Sequence, residues 1–196
     1  MMLSIRNDTP YTMEVRTMKK LTAAGKVITK ILEVFHWACA GFVAFFLLAT
    51  PGKPGLFEGK SFRNPEFNAC GLSVNVHNSA GEVEPTAFYL FCLGMVILCV
   101  LYAVIFRNIY SILKKADGGS PFHETNLRKL KEIGYISIAV PIVGLVISTI
   151  IRLALGPDAA EISGDLNGFF MGIIVLCLTQ YFAYGAQLEK DVDGLV

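Results

Sequence analysis

Four apolar runs dominate the chain: 31–50, 86–107, 133–155 and 168–188. Within them hydrophobic positions are nearly continuous. They show neither the alternation of a half-buried strand nor the one-sided stripe of a surface helix. A helix rises about 1.5 Å per residue, so each run is long enough to cross a hydrocarbon layer about 30 Å thick. Inside hydrocarbon every backbone group must be bonded internally, and these runs lack the short alternating strands of a barrel. The pattern predicts an all-α fold, a bundle of four membrane-spanning helices forming one membrane domain over residues 1–196.

The polar intervals between the runs define the other elements. Residues 1–18 are mixed and polar and read as poorly structured, with a helix beginning near Lys19 and running into the first span. That span is longer than a signal-peptide core and reads as retained. Pro51-Gly52-Lys53-Pro54-Gly55 ends it. The interval 51–85 is longer than a connector needs and is expected to cap the outer face. Within it Leu72, Val74 and Val76 alternate with Ser73 and Asn75, and His77 to Gly81 offers a turn, so a short hairpin is predicted there. The second helix should continue to Lys115, where Ala116-Asp117-Gly118-Gly119 stops it. Ser120 is the expected N-cap of the next helix and Pro121 its first residue, with Glu124 favourable to the dipole in the first turn. That helix has no breaker before the third span. The short connection from Gly156-Pro157 to Asn167 makes spans three and four antiparallel neighbours.

Composition sharpens this picture. Hydrophobic residues are 54% of the chain and charged residues 17%, against roughly 25% charged in soluble domains. The net charge of +1 says little, but its distribution says more. With the N-terminus inside, the inner segments 1–30, 108–132 and the C-terminal tail, with the adjoining span end, hold 13 of the 17 Lys and Arg. Lys53, Lys60, Arg63 and Arg152 are the remainder. Basic residues resist translocation, so both termini are expected in the cytoplasm of a bacterial plasma membrane. The same rule accounts for the basic inner face without invoking nucleic acid, and no direct nucleic-acid binding is expected.

Candidate chemistry is sparse. In the third span Gly134, Ser137, Pro141, Gly144, Ser148 and Arg152 recur at spacings of three and four, and in the fourth Gly168, Gly172, Thr179, Ala183 and Ala186 do so. Small residues along one face allow close helix approach, so Gly144, Ser148, Gly168 and Gly172 are expected to pack the pair. The other reading is that Pro141 opens the backbone to a binding cavity. Glu33 and His36 share a face of the first span, where ionisable groups are costly unless satisfied. They form either a proton-handling pair or a structural pair reaching Gln180 or a tyrosine of the fourth span. Arg152, near the outer boundary, has Asp158, Glu161 and Asp165 as candidate counter-charges. Cys39, Cys92, Cys99 and Cys177 lie in apolar runs and Cys70 stands alone in the outer interval, so no intraloop disulfide is expected. His36, His77 and His123 fall in three different regions and cannot readily share a metal. No nucleotide loop, zinc-protease helix or nucleophile elbow is present. No enzyme, cofactor or metal is expected.

The inner interval carries a resemblance. Gly119-Ser120-Pro121-Phe122, followed by Asn126, Arg128, Leu130, Ile133 and Gly134, resembles the motif of a family of uncharacterised bacterial four-span membrane proteins. Tyr184-Gly185-Ala186-Gln187-Leu188-Glu189 is similar to that family's closing motif. Lys129-Leu130-Lys131 departs from it, since a plain Leu-Arg pair is commoner there. Members of the family are often encoded beside small Cro-type helix-turn-helix regulators. The resemblance implies a membrane regulator or sensor binding such a cytoplasmic transcription factor, with Ser120, Pro121, Phe122, Asn126 and Arg128 as the candidate partner-binding loop. The alternative is a small transporter with a path between spans one, three and four. Beyond the lipid bilayer and that regulator, a homo-oligomer is left open.

Overall fold

The computed structural model describes residues 10–49, 66–69, 71–76, 83–115, 123–162 and 166–194. Four long helices make up its body: α1 (Pro10–Ala49), α2 (Pro85–Lys115), α3 (Glu124–Leu155) and α4 (Leu166–Asp193). All four are long and apolar enough to cross a membrane. Three short strands, β1 (Glu66–Ala69), β2 (Leu72–Asn75) and β3 (Ala160–Glu161), form a small antiparallel sheet in the order β1-β2-β3. The sheet lies at one end of the helices, here called the hairpin end. The opposite end, carrying Lys114, Lys115 and Lys131, is the basic end.

Several boundaries differ from the expectation for local physical reasons. The first helix already runs from Pro10, within the stretch 1–18 expected to lack structure. Proline suits a first helical position, because its missing N–H would have no helical partner there. Ser120, Pro121 and Phe122 lie outside the described residues, and the cap of α3 is His123, not Ser120. His123 has extended backbone, and its Nδ1 accepts from the Thr125 amide at 3.2 Å, giving an acceptor to one of the otherwise unmet first-turn N–H donors. Glu124 does occupy the first turn, and α3 continues unbroken through Pro141 to Leu155.

The predicted strand is present, and the chain returns to its end on the expected side, where the Glu84 amide donates to the Val76 carbonyl at 2.7 Å, but its ladder partner lies on the other side in sequence. Asn68 pairs with Ser73 and Ala69 with Leu72, so the partner strand precedes β2 and Gly71 lies in the connection. Gly71 takes φ 83°, the left-handed region in which glycine meets no Cβ clash. On its other edge β2 pairs with β3, and the Asn75 amide donates to the Ala159 carbonyl at 2.9 Å.

The largest core lies where this sheet meets α2 and α3. Leu72, Val74, Val76, Ala87, Leu98, Val140, Ile151 and Ala160 are buried together. Ser73, on the opposite side of the strand, is also buried. Its amide donates to Ser148 Oγ at 3.0 Å, and that hydroxyl donates to the Gly71 carbonyl at 3.4 Å. A Cβ at Gly94 would lie 2.8 Å from Leu72 Cδ2. Gly94 is about 13 Å along α2 from Pro85 at the usual helical rise. The strand therefore reaches well below the helix ends, where non-helical backbone is tolerable only when protein encloses it.

The helices form a row. α1 packs on α2, α2 on α3 and α3 on α4, while non-neighbours make at most glancing contact among the described residues. The sequence predicts a bundle without saying whether it closes. Lipid removes the reason for closure, because helices gain nothing by hiding apolar faces from hydrocarbon. Both outer helices are apolar on their free faces: Ile31, Phe42 and Phe45 on α1, and Phe170, Ile174 and Leu178 on α4, are exposed.

Candidate functional site

Polar side chains concentrate near the basic end in two clusters, at the α1–α2 and α2–α3 seams. At the α1–α2 seam, Glu33 is 8% exposed. Its carboxylate accepts from Lys30 Nζ at 3.0 Å, and the same ammonium lies 5.2 Å from the centroid of the Tyr110 ring. Lys30 is one turn nearer the basic end and half exposed, so it reaches water while its stem covers Glu33. His36 turns to the same seam but bonds neither residue. Its Nδ1 lies 2.7 Å from the Leu32 carbonyl. A carbonyl only accepts, so Nδ1 carries the proton. The ring is flanked by Tyr102 and Phe106, with centroids 5.6 and 5.2 Å away. Glu33 and His36 thus share a face but serve as separate, locally satisfied groups. Gln180 is exposed on α4, at the far side of the row, and is not brought to them. The same separation means that α1, α3 and α4 enclose no common path among the described residues.

At the α2–α3 seam, Asn108 Nδ2 donates to Glu132 Oε2 at 3.1 Å, and Arg128 Nε lies 3.8 Å from the other oxygen of that carboxylate. One turn further out, Lys129 Nζ donates to Ser111 Oγ. Desolvation lowers the Lys129 pKa below its ordinary range, and the charge of Lys115 adds to that. These contacts clamp the end of α2 to the start of α3. Asn126 is buried behind the clamp. Its Oδ1 has no hydrogen-bond donor among the described residues.

At the α3–α4 seam the helices touch through glycines. A Cβ at Gly172 would lie 2.5 Å from Ile138 Cγ1 and 2.8 Å from the Gly134 carbonyl oxygen. One at Gly168 would lie 3.2 Å from Pro141 Cδ. Pro141 therefore packs within the helix pair. Gly144 is buried on the same helix, whereas Ser148 serves β2 as described above. Arg152 donates to the Ala160 carbonyl at 3.4 Å instead of meeting Asp158 or Glu161, and Asp165 is outside the described residues.

Toward the basic end α3 and α4 separate, leaving a cleft of about 980 Å³. Leu127, Ala183 and Ala186 line its floor, and Arg128, Lys131 and Lys190 border it. Lys131 and Lys190 were not singled out from sequence, where the positive-inside rule absorbed them. Ala183 and Ala186 belonged to the small-residue stripe, and the antiparallel register that sets them opposite Leu127 is not written in either helix alone. Cys70 and His77 lie outside the described residues.

No curated protein and no solved structure matches the chain. A family model described as a protein of unknown function, DUF2975, matches residues 55–194. That segment holds α2, α3 and α4, the sheet, the clamp and the cleft, and on that match the chain belongs to the DUF2975 family.

Proposed function

We propose that this protein is a non-enzymatic membrane regulator or sensor, with both termini in the cytoplasm of a bacterial plasma membrane, that engages a cytoplasmic partner at its basic end. The supporting observation is the clamp between α2 and α3. Lys129 with Ser111, and Asn108 with Glu132, hold the two helix ends together beyond the spans. The first turns of α3 lie about 13 Å outside the third span at 1.5 Å per residue. His123, Glu124 and Arg128 are exposed there. A rigid, exposed and mixed-charge surface suits protein recognition better than chemistry does. The partner class implied by the earlier family resemblance is a small helix-turn-helix regulator.

Photo-crosslinking in cells tests this reading. A photoreactive residue at position 128 should capture one small cytoplasmic protein, and one at lipid-facing position 42 should not. Transfer to an adjacent helix-turn-helix protein supports the reading. Capture of lipid alone at position 128 overturns it. The orientation is tested separately: a cysteine replacing Lys115 should resist an impermeant thiol reagent in intact cells, and labelling there would place the basic end outside.

A further inference from the structure

We propose that the cleft between the basic ends of α3 and α4 binds the phosphodiester of an anionic glycerophospholipid from the adjoining leaflet. The geometry begins with the glycine contact. Gly134 and Gly172 bring the two backbones close, and toward the basic end a cleft lies between α3 and α4, lined by Leu127 and Ala183 among others. The row is one helix thick, so a gap at this seam opens sideways into the bilayer as well as outward into water. Its floor is apolar, formed by Leu127, Ala183 and Ala186, and suits the upper part of an acyl chain. Its border carries Arg128, Lys131 and Lys190.

Depth supports the same ligand. Lys131 lies two residues and Arg128 five residues before the start of the third span, about 3–8 Å beyond the hydrocarbon edge at the helical rise. That is the headgroup layer, which adds roughly 5–8 Å on each side of the core. Tyr135, Tyr181 and Tyr184 are exposed near the same level, as interfacial tyrosines are. Neither Lys131 nor Lys190 forms an ion pair among the described residues, whereas Arg128 faces Glu132. Glu124 and Glu189 also line the cleft, and Arg128 is shared with Glu132, which disfavours a multivalent anion and leaves Lys131 and Lys190 to meet a single phosphodiester. The positive-inside rule explains basic residues on this side generally. It does not explain their convergence over an apolar floor, and basic pockets between spans are a known form of headgroup recognition.

The proposal stands apart from the partner reading, because it needs only a leaflet beside the basic end. Native mass spectrometry of the full chain, equilibrated with an equal mixture of phosphatidylglycerol and phosphatidylcholine, tests it. The wild type should retain phosphatidylglycerol preferentially. Lys131→Gln with Lys190→Gln should reduce that retention about tenfold or more, since each juxtamembrane lysine is worth roughly a factor of five. Lys19→Gln with Lys20→Gln, at the far side of the row, should leave it unchanged, and Lys131→Arg with Lys190→Arg should preserve it. Equal retention of the two lipids, or an equal loss in both glutamine pairs, would show only diffuse attraction and overturn the site. Displacement of the lipid by millimolar inorganic phosphate would make it a soluble-anion site and overturn the lipid assignment.

Discussion

Single residues decide how closely the helices approach. At Gly172 the atoms that an added Cβ would meet include the Gly134 carbonyl oxygen and the Ile138 amide nitrogen, at 2.8 and 3.0 Å. Backbone cannot turn aside as a side chain can, so Gly172→Ala should cost about 1–3 kcal/mol of stability, as overpacking does. Gly41 has nothing within 4 Å of its Cβ position. Gly41→Ala should be neutral or slightly stabilising, with alanine's helix preference worth up to about 1 kcal/mol. Thermal unfolding in detergent reads both, and equal melting points would show that the α3–α4 contact is looser than described. Glu33→Gln keeps an oxygen that can accept from Lys30 but removes the charge, and should cost about 1 kcal/mol or less because Lys30 is half exposed. An altered pH response with an unchanged melting point would instead return Glu33 to a proton-handling role. Such residue-level features were partly legible. The i, i+3 spacing puts Glu33 with both Lys30 and His36, but no spacing within α1 reveals that α4 and Gln180 lie across the row.

At the scale of elements, helices and strands differ in how they announce themselves. The four spans were legible because hydrocarbon thickness sets a length that the apolar runs must meet. The end of α2 at Lys115 was legible from the breakers that follow. β2 was legible too, because Leu72, Val74 and Val76 alternate. Its ladder partner was not, because Glu66–Ala69 is only four residues long, the shortest run in which alternation can register. Ser148 was read as a helix-packing residue, and its small size fits that role, but its hydroxyl holds the strand. Ser148→Ala should leave the Ser73 amide buried without an acceptor, at a cost of about 1–3 kcal/mol. Amide hydrogen exchange across residues 72–75 should then quicken while exchange in α4 stays unchanged. If protection of the strand is unaltered, the Ser73–Ser148 bond contributes nothing to docking the sheet.

For the whole molecule, the row is the feature least accessible from sequence, because apolar runs specify what enters lipid and not which neighbour each meets. In water, four amphipathic helices close into a ring to bury their stripes. In a bilayer, contact is favoured where small residues admit close approach or polar groups find partners. The seams that exist follow that logic. α3 and α4 meet through Gly134, Gly168 and Gly172, and α2 and α3 through Asn108 with Glu132 and through the sheet wedged at their hairpin ends. α1 and α2 meet through Gly25, whose Cβ position is 3.3 Å from Leu113, and through the rings around His36. Among the described residues no comparable feature turns α1 toward α4. In a background without native cysteines, a short bifunctional thiol reagent should therefore join cysteines placed at Gly25 and Leu113. It should not join cysteines at Phe42 and Ile174, although both lie at similar depth. Co-expressing differently tagged copies separates intrachain from interchain products. An intrachain link between α1 and α4 would mean that the helices close into a ring, and would enclose the cleft that the lipid proposal requires to open sideways. An interchain link alone would leave the row intact and identify its free edges as the surface through which copies meet.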